Sequence, residues 1–247
     1  MHTPSRTGAG DSAYARYLST DVLLSLQRDT EGLADPDEMV FLVVQQSSEL
    51  WLKLAATDLE RALRAAGEGH LPAAVRMTGR VRSHVDCLTR QLDSLDHISP
   101  WAYQQIRTQL ENGSGFDSPG WRRVRTLAPQ LSDLLETELK SAGVELEEVY
   151  RGDPRWEPLF QFAEALLDLD VACMEWRSRH LRVVERLIGT DAVGVAGTPI
   201  DVLARLATRR FYPRVWEVRS RLTAQAPTRY TGPARTRGRD KQNGNTP

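Results

Sequence analysis

Residues 41–53 read Phe-Leu-Val-Val-Gln-Gln-Ser-Ser-Glu-Leu-Trp-Leu-Lys, a strongly apolar run that five consecutive polar residues interrupt. If residues 39–63 form one helix, Phe41, Gln45 and Glu49 lie on one face beside apolar residues that need burial. Polar side chains in that position need hydrogen-bond partners. The polar residues 45–48 therefore either bond to a neighbouring helix, which is a structural role, or line a pocket.

Hydrophobic periodicity elsewhere predicts an all-α protein with one helical domain. No stretch alternates as a strand would, and there is no internal repeat. The domain is expected at residues 12–224, and the polar segments 1–11 and 225–247 are expected to be flexible tails. The pattern predicts further helices at seven places: 14–27, 72–97, 100–110, 121–142, 155–189, 200–210 and 213–223.

The composition is that of a soluble globular protein and excludes several function classes. Lys and Arg (32) balance Asp and Glu (33), so no nucleic-acid surface is expected. No apolar run reaches the roughly 20 residues of a membrane-spanning helix, and the N-terminus lacks the apolar core of a signal peptide, so we expect a cytoplasmic protein. Cys87 and Cys173 are expected to be reduced thiols. A diiron bundle is excluded because the chain has no Glu-x-x-His pair.

A candidate ligand lies on the long helix predicted at residues 155–189. His180 continues the apolar stripe that contains Cys173, Trp176 and Leu187, so its side chain points along that stripe rather than into water. Such a histidine is either a hydrogen-bonded core residue or a ligand of heme or metal. The spacing alone leaves both interpretations open.

A second candidate site lies in Ser-Pro-Trp-Ala-Tyr-Gln-Gln-Ile-Arg, residues 99–107. Tyr103 and Arg107 are four residues apart and therefore share one face of a helix. A guanidinium can bind a carboxylate through two parallel hydrogen bonds, a geometry that lysine does not offer. For Arg107 alone, the other interpretation is a surface charge.

Together these segments resemble the tryptophan 2,3-dioxygenase family. Residues 41–53 are similar to the family's Phe-Ile-x-x-His-Gln-x-x-Glu-Leu-Trp-Phe-Lys, with Gln45 in place of the histidine. Residues 176–189 are similar to the segment that carries the proximal histidine, so the resemblance implies that His180 is the axial ligand of heme b. Further similar segments follow the family's order: 14–18, 99–107, 114–118 and 210–219.

The resemblance implies a heme-dependent oxygenase that uses O2 to oxidise L-tryptophan or a related indole amino acid, with N-formylkynurenine as product. It implies that Phe41 packs on the indole, that Gln45 accepts from its N–H as the catalytic residue, and that Tyr103 and Arg107 hold the carboxylate. Family members are tetramers, so a homo-oligomer is expected. The other implied contacts are to heme from Trp51, Ser114, Gly115, Phe116 and Trp176, and to substrate from Tyr14, Tyr17, Gly194 and Val195.

Two departures from the family pattern affect the chemistry. The Gln45 amide can accept a hydrogen bond but cannot take a proton. Residues 193–199 read Val-Gly-Val-Ala-Gly-Thr-Pro where the family has Gly-Thr-Gly-Gly-Ser-Ser-Gly, so Gly194 or Val195 stands where a threonine contacts the substrate ammonium. One alternative is therefore mono-oxygenation of a tryptophan derivative to an oxindole or hydroxyindole in secondary metabolism. Others are a heme- or amino-acid-binding protein without turnover, and a structural helical protein without heme.

Overall fold

The computed structural model describes residues 12–226 except 112, 114, 195, 196 and 198. Within these residues the chain is helical, and the only β-type pairing is a single bridge between Val193 and Pro199. The all-α prediction is confirmed. The α-helices are α1 Ala13–Leu18, α2 Thr20–Leu24, α3 Glu38–Gly67, α4 Leu71–Gln91, α5 Pro100–Thr108, α6 Pro119–Leu127, α7 Gln130–Ala142, α8 Leu146–Val149, α9 Glu157–Ile188, α10 Ile200–Ala207 and α11 Pro213–Gln225. Short 3-10 segments lie at Thr30–Gly32, Leu92–His97, Gly115–Asp117 and Pro154–Trp156.

The main core lies among α3, α4 and α9, because α4 packs along both of the long helices. The second half of α3 presents a stripe of apolar residues at spacings of three and four, which is the pattern of a helix with one buried face. Small residues in that stripe let α4 approach closely. The stripe consists of Leu52, Ala55, Leu59, Ala62 and Ala66.

A second, smaller apolar cluster joins the first turns of α3 to α5, to the 3-10 segment Leu92–His97 and to the end of α9. Phe41 and Val44 supply the α3 side. Val183 and Leu187 supply the α9 side. The cluster therefore brings the beginning of α3 next to the C-terminal third of α9, which are the two segments that the sequence pattern singles out.

The predicted helix at residues 14–27 is two short helices instead of one. Ser19 has a left-handed backbone (φ 53°, ψ 42°), and its N–H ends α1 by donating to the Ala15 carbonyl. Ala15 is buried, whereas Tyr14 and Tyr17 are exposed. Short helices depend on packing for stability. Most apolar side chains of α1 and α2 are nevertheless not covered by the described part of the chain.

Two other predicted helices are interrupted. The prediction for residues 121–142 is divided at Pro129, because proline has no N–H to continue the hydrogen bonds of α6. The prediction for residues 72–97 is an α-helix only to Gln91 and then tightens into the 3-10 segment Leu92–His97. The remaining predicted helices are present with ends within a few residues of those expected.

The expected tails lie mostly outside the described residues. Residues 1–11 and 227–247 are not described, and α11 continues to Gln225. Cys87 and Cys173 are free thiols. No helix in the described ranges is both long and apolar enough to cross a membrane.

Candidate functional site

Three of the polar residues in the 45–48 run have structural partners. Gln46 accepts a hydrogen bond from the Gln27 side-chain amide at 2.5 Å. The Ser47 hydroxyl donates to the Gln91 side-chain oxygen at 2.8 Å, and the Gln91 amide nitrogen in turn donates to Ser48. The structural interpretation therefore holds for residues 46–48, which tie α3 to the segment after α2 and to α4.

Gln45 is different from its neighbours. Its side chain is exposed and forms no hydrogen bond with any described residue. It lies one helical turn after the buried Phe41 and one turn before Glu49. An amide with a free carbonyl oxygen and a free NH2 group at this place is available to a ligand.

Glu49 fixes the position of α6. Its carboxylate accepts from the Ser118 hydroxyl at 2.5 Å and from the Gly120 N–H at 3.0 Å. Gly120 lies so close to α3 that a Cβ there would be 2.5 Å from the Cβ of Leu52. This contact positions the preceding segment, in which Phe116 is 36% exposed.

Phe41, Tyr103 and Arg107 come together at the small apolar cluster. The rings of Phe41 and Tyr103 meet edge to face, with centroids 6.0 Å apart. Burial raises the pKa of the Tyr103 hydroxyl, partly offset by the nearby Arg107 charge, so the phenol stays protonated. Arg107 Nη2 donates to the Val193 carbonyl at 2.7 Å. The structure thus brings α3, α5 and the loop after α9 to one place.

His180 lies on the α9 side of the same region. Burial lowers its pKa to about 4, so the imidazole is neutral at pH 7. It stacks on Trp176 with ring centroids 5.0 Å apart and planes 11° apart, and Trp176 packs against Trp121 at 4.3 Å. His180 forms no hydrogen bond with a described residue. Trp176 Nε1 is buried without a partner among the described residues, as are Thr78 Oγ1 and Asp96 Oδ1. A buried donor without a partner is uncommon and calls for an explanation, and at Trp176 a ligand beside His180 would supply one.

The group of Phe41, Tyr103 and Arg107 and the group of His180 and Trp176 adjoin the same apolar cluster. Trp176 and Tyr103 both pack against the cluster that contains Phe41 and Val183. The neutral imidazole of His180 lies on α9 between Trp176 and Val183, two residues that belong to this cluster or pack against it. This arrangement can hold a metal-bound cofactor through His180 and an anionic group through Arg107.

An ion-pair clamp next to His180 was not predicted from the sequence. Arg179 bonds to Asp93 at 2.9 Å and to Asp96 at 2.6 Å, both in the 3-10 segment. The hydrogen bond with Arg179 lowers the pKa of Asp96. The clamp fixes the rotation of α9 at His180. Arg179 is more than 80 residues from both aspartates in sequence. The only sequence signal for the clamp is a pair of acidic residues on a segment that faces the long helix.

The other residues implied by the resemblance lie at different places. Trp51 stacks on His84 of α4, with centroids 5.9 Å apart. Tyr14 and Tyr17 on α1 are 70% and 89% exposed. Gly115 is exposed in its 3-10 segment, and Gly194 lies in the loop after Val193. Ser114 and Val195 lie outside the described residues.

The comparisons with known proteins agree on one family. The sequence model of the tryptophan 2,3-dioxygenase family matches residues 2–140. The chain is 31% identical to the tryptophan 2,3-dioxygenase of Caulobacter vibrioides, over 87% of this chain and 100% of that protein. It is 30% identical to the enzyme of the same name from Bacillus thuringiensis, over 85% of this chain and 92% of that protein.

The chain belongs to the tryptophan 2,3-dioxygenase family. This is a family of oxidoreductase enzymes. The match of the tryptophan 2,3-dioxygenase family model includes Phe41, Gln45, Tyr103 and Arg107. The alignment with the Caulobacter protein covers 87% of this chain. Because His180 is far from both ends of the chain, it lies within the aligned part.

Proposed function

We propose that this protein is a heme-dependent oxygenase that oxidises the C2–C3 region of the indole ring of L-tryptophan or a closely related indole amino acid. The observation that carries the proposal is the neutral His180, which is free of hydrogen bonds to described residues and stacks on Trp176, a residue that packs against the same apolar cluster as Tyr103. Members of the family are heme-dependent in general. The family likeness and this pairing of side chains support the same conclusion.

The residues at His180 fit a heme. An axial ligand must be neutral with a free ring nitrogen, and burial keeps the pKa of His180 at about 4. The stacked Trp176 restrains the imidazole plane, and an apolar setting is suited to a porphyrin. We assign the other heme contacts to Trp51, Ser114, Gly115, Phe116 and Trp176. The heme supplies the redox chemistry and the binding of O2.

Arg107 and Tyr103 bind the substrate carboxylate in this proposal. A guanidinium has five N–H donors, and one bond to the Val193 carbonyl leaves others for an anion. The raised pKa of Tyr103 keeps its hydroxyl protonated and able to donate. Phe41 packs against the indole. These residues orient the substrate and take no part in the bond changes. Correct orientation by itself accelerates a reaction.

Gln45 accepts a hydrogen bond from the indole N–H through its side-chain oxygen. An amide has no basic site near neutral pH, so this position cannot remove the indole proton. Gly194 offers no side chain to the substrate ammonium, and Val195 carries only an apolar one. Full dioxygenation would give N-formylkynurenine.

A second product class is favoured by Gln45. Loss of the proton acceptor supports insertion of a single oxygen atom into a tryptophan derivative, giving an oxindole or hydroxyindole in secondary metabolism. A protein that binds heme and an amino acid without turnover is the competing function of another class. Tyr103 and Arg107 argue against a simple heme carrier, which has no use for a carboxylate site.

We propose that the protein works as a homo-oligomer in the cytoplasm, a tetramer by likeness to the family. Exposed apolar side chains on α1 and α2 support association, because contiguous apolar surface on a monomer marks an interface. They include Tyr14, Tyr17, Val22 and Leu24. Tyr14 and Tyr17 would then reach the substrate pocket of a neighbouring subunit.

The test is reconstitution with heme, reduction without oxygen, and addition of tryptophan and O2, followed by mass spectrometry of the product. Gain of two oxygen atoms supports ring cleavage, and gain of one supports mono-oxygenation. Arg107→Lys should raise KM at least tenfold, since it removes the two-point contact with the carboxylate. Absence of product from tryptophan and its methylated and hydroxylated analogues would refute the enzymatic function.

A further inference from the structure

His180 lacks the contact that usually orients a histidine ligand. The second ring nitrogen of a ligating histidine as a rule donates to a carboxylate, a carbonyl or water, and this bond fixes the ring. His180 forms no hydrogen bond with a described residue, and its ring contact is the stack on Trp176. The orientation of the imidazole therefore depends on this stack and on how firmly α9 is held at the turn that carries His180.

The ion-pair clamp holds α9 at this turn. Arg179 immediately precedes His180, and its guanidinium uses two nitrogens: Nε donates to Asp93 Oδ1 at 2.9 Å, and Nη2 donates to Asp96 Oδ2 at 2.6 Å. The side chain of Asp96 is 30% exposed and that of Asp93 is 69% exposed, so water weakens the bond to Asp96 less. Asp96 is therefore the more important partner of Arg179.

The 3-10 segment that carries both aspartates is itself anchored to α9. Leu92 and Leu95 of this segment are each 3% exposed and belong to the small apolar cluster. Val183 and Leu187, which follow His180 on α9, belong to the same cluster. An ion pair just before His180 and apolar contacts just after it thus join α9 to one segment on both sides of the ligand.

We propose that Arg179 and Asp96 are positioning residues for the axial ligand, whose ion pair sets the orientation of the His180 imidazole. This inference rests on the proposed function, since it concerns His180 as a ligand of heme. It deepens that function by assigning a role to two residues that are not among the assigned heme or substrate contacts. Partly exposed ion pairs contribute little to stability, so the clamp should matter more for the ligand than for folding.

The frequency of the iron–histidine stretching band in resonance Raman spectra of the ferrous heme complex tests the proposal. Arg179→Ala should shift or broaden this band, because the imidazole is less firmly oriented. The same variant should release heme about tenfold faster than the wild type, since loss of a group that supports a metal ligand typically weakens the site 10- to 100-fold.

Two further variants grade the effect. Arg179→Lys should restore only part of the wild-type behaviour, because an ammonium group lacks the fork that binds two carboxylates at once. Asp96→Asn should change the band in the same direction as Arg179→Ala. Asp93→Asn should change it less than Asp96→Asn, since the side chain of Asp93 is the more exposed of the two.

Arg219→Ala is the matched control. Arg219 on α11 pairs with Glu164, so this variant also removes an ion pair made with α9, but about four turns before His180. Its iron–histidine band and its heme release should equal those of the wild type. Urea unfolding without heme shows whether Arg179→Ala and Arg219→Ala lose similar stability, which separates an effect on the ligand from an effect on folding.

Two results would overturn the inference. One is an unchanged band and unchanged heme release in Arg179→Ala, and the other is an equal change in Arg219→Ala, which would indicate general loosening of α9. If Arg179→Ala does not fold, the same two criteria apply to Asp96→Asn. A wild type without any iron–histidine band would refute the proposed function and this inference together, whereas identical bands in wild type and Arg179→Ala would refute this inference alone.

Discussion

Asp170 and His180 lie on the same helix, α9, and differ in how the protein treats their polar atoms. Asp170 is fully buried, and its carboxylate accepts from the Phe211 and Tyr212 N–H groups at 2.8 and 3.2 Å and from Trp216 Nε1 at 3.0 Å. His180 has no hydrogen bond to a described residue. The fold satisfies the Asp170 carboxylate, as it does most buried polar groups, whereas the ring nitrogens of His180 stay available to a ligand.

The same difference recurs within the opening stretch of α3. Gln46, Ser47 and Ser48 have bonding partners, and Gln45 beside them has none among the described residues. Satisfaction of polar groups therefore separates the two interpretations that the sequence left open for residues 45–48. The following changes should break or sharpen this contrast between structural and free polar groups.

Asp170→Ala should have the largest effect on stability. It leaves two backbone N–H groups and the Trp216 indole N–H without an acceptor, at a cost of about 3 kcal/mol or more. His180→Ala, measured without heme, should destabilise the fold less than Asp170→Ala, because it loses the packing on Trp176 but no hydrogen bond. Urea unfolding of both variants checks this order. A larger loss in His180→Ala would contradict the contrast.

Asp58 is the second structural carboxylate, between α3 and α4, and it should give a pH-dependent effect. Burial opposes its charge, but hydrogen bonds from His84, Arg80 and Arg61 outweigh it and lower its pKa. Because the folded pKa is lowered, Asp58 stabilises the fold above the ordinary carboxyl pKa of about 4, and that contribution is lost as pH falls through the folded value.

Asp58→Asn should therefore cost about 2 kcal/mol at pH 7 and flatten the acid limb of the stability curve. The exposed Asp133→Asn is the control and should change the unfolding free energy by less than about 0.5 kcal/mol. Unfolding curves from pH 7 to pH 3 measure both quantities. An unchanged acid limb in Asp58→Asn would show that its ion pairs contribute nothing.

The smallest effect is expected from the neighbours Gln45 and Gln46. Gln46→Ala loses the bond with Gln27 and should cost about 1 kcal/mol. Gln45→Ala should leave stability unchanged within about 0.5 kcal/mol but alter the products formed from tryptophan. Unfolding curves and product mass spectrometry separate the two. Equal destabilisation by both substitutions would remove the distinction between them.

The sequence predicts the helices well because their apolar spacing is local information. It does not predict the break at Ser19, which depends on a left-handed backbone at a residue without a distinctive signature. The bond from Arg107 to the Val193 carbonyl and the packing of Trp121 on Trp176 were also not predicted. Both join distant segments, and periodicity carries no information on which helix faces meet.

The candidate site shows the same division. The positions of Phe41, Arg107 and His180 were predicted from resemblance to the family, and the structure brings their segments to one apolar cluster. The freedom of Gln45 from hydrogen bonds could not be predicted, because partners across helices decide it.

The central claim is that His180 is the axial ligand of a heme. Its most direct test is the spectrum of the ferrous heme complex of the wild type, of His180→Ala and of the exposed control His97→Ala. The account predicts a histidine-ligated spectrum in the wild type and in His97→Ala, its loss in His180→Ala, and its recovery when free imidazole is added. An unchanged histidine-ligated spectrum in His180→Ala would contradict the account.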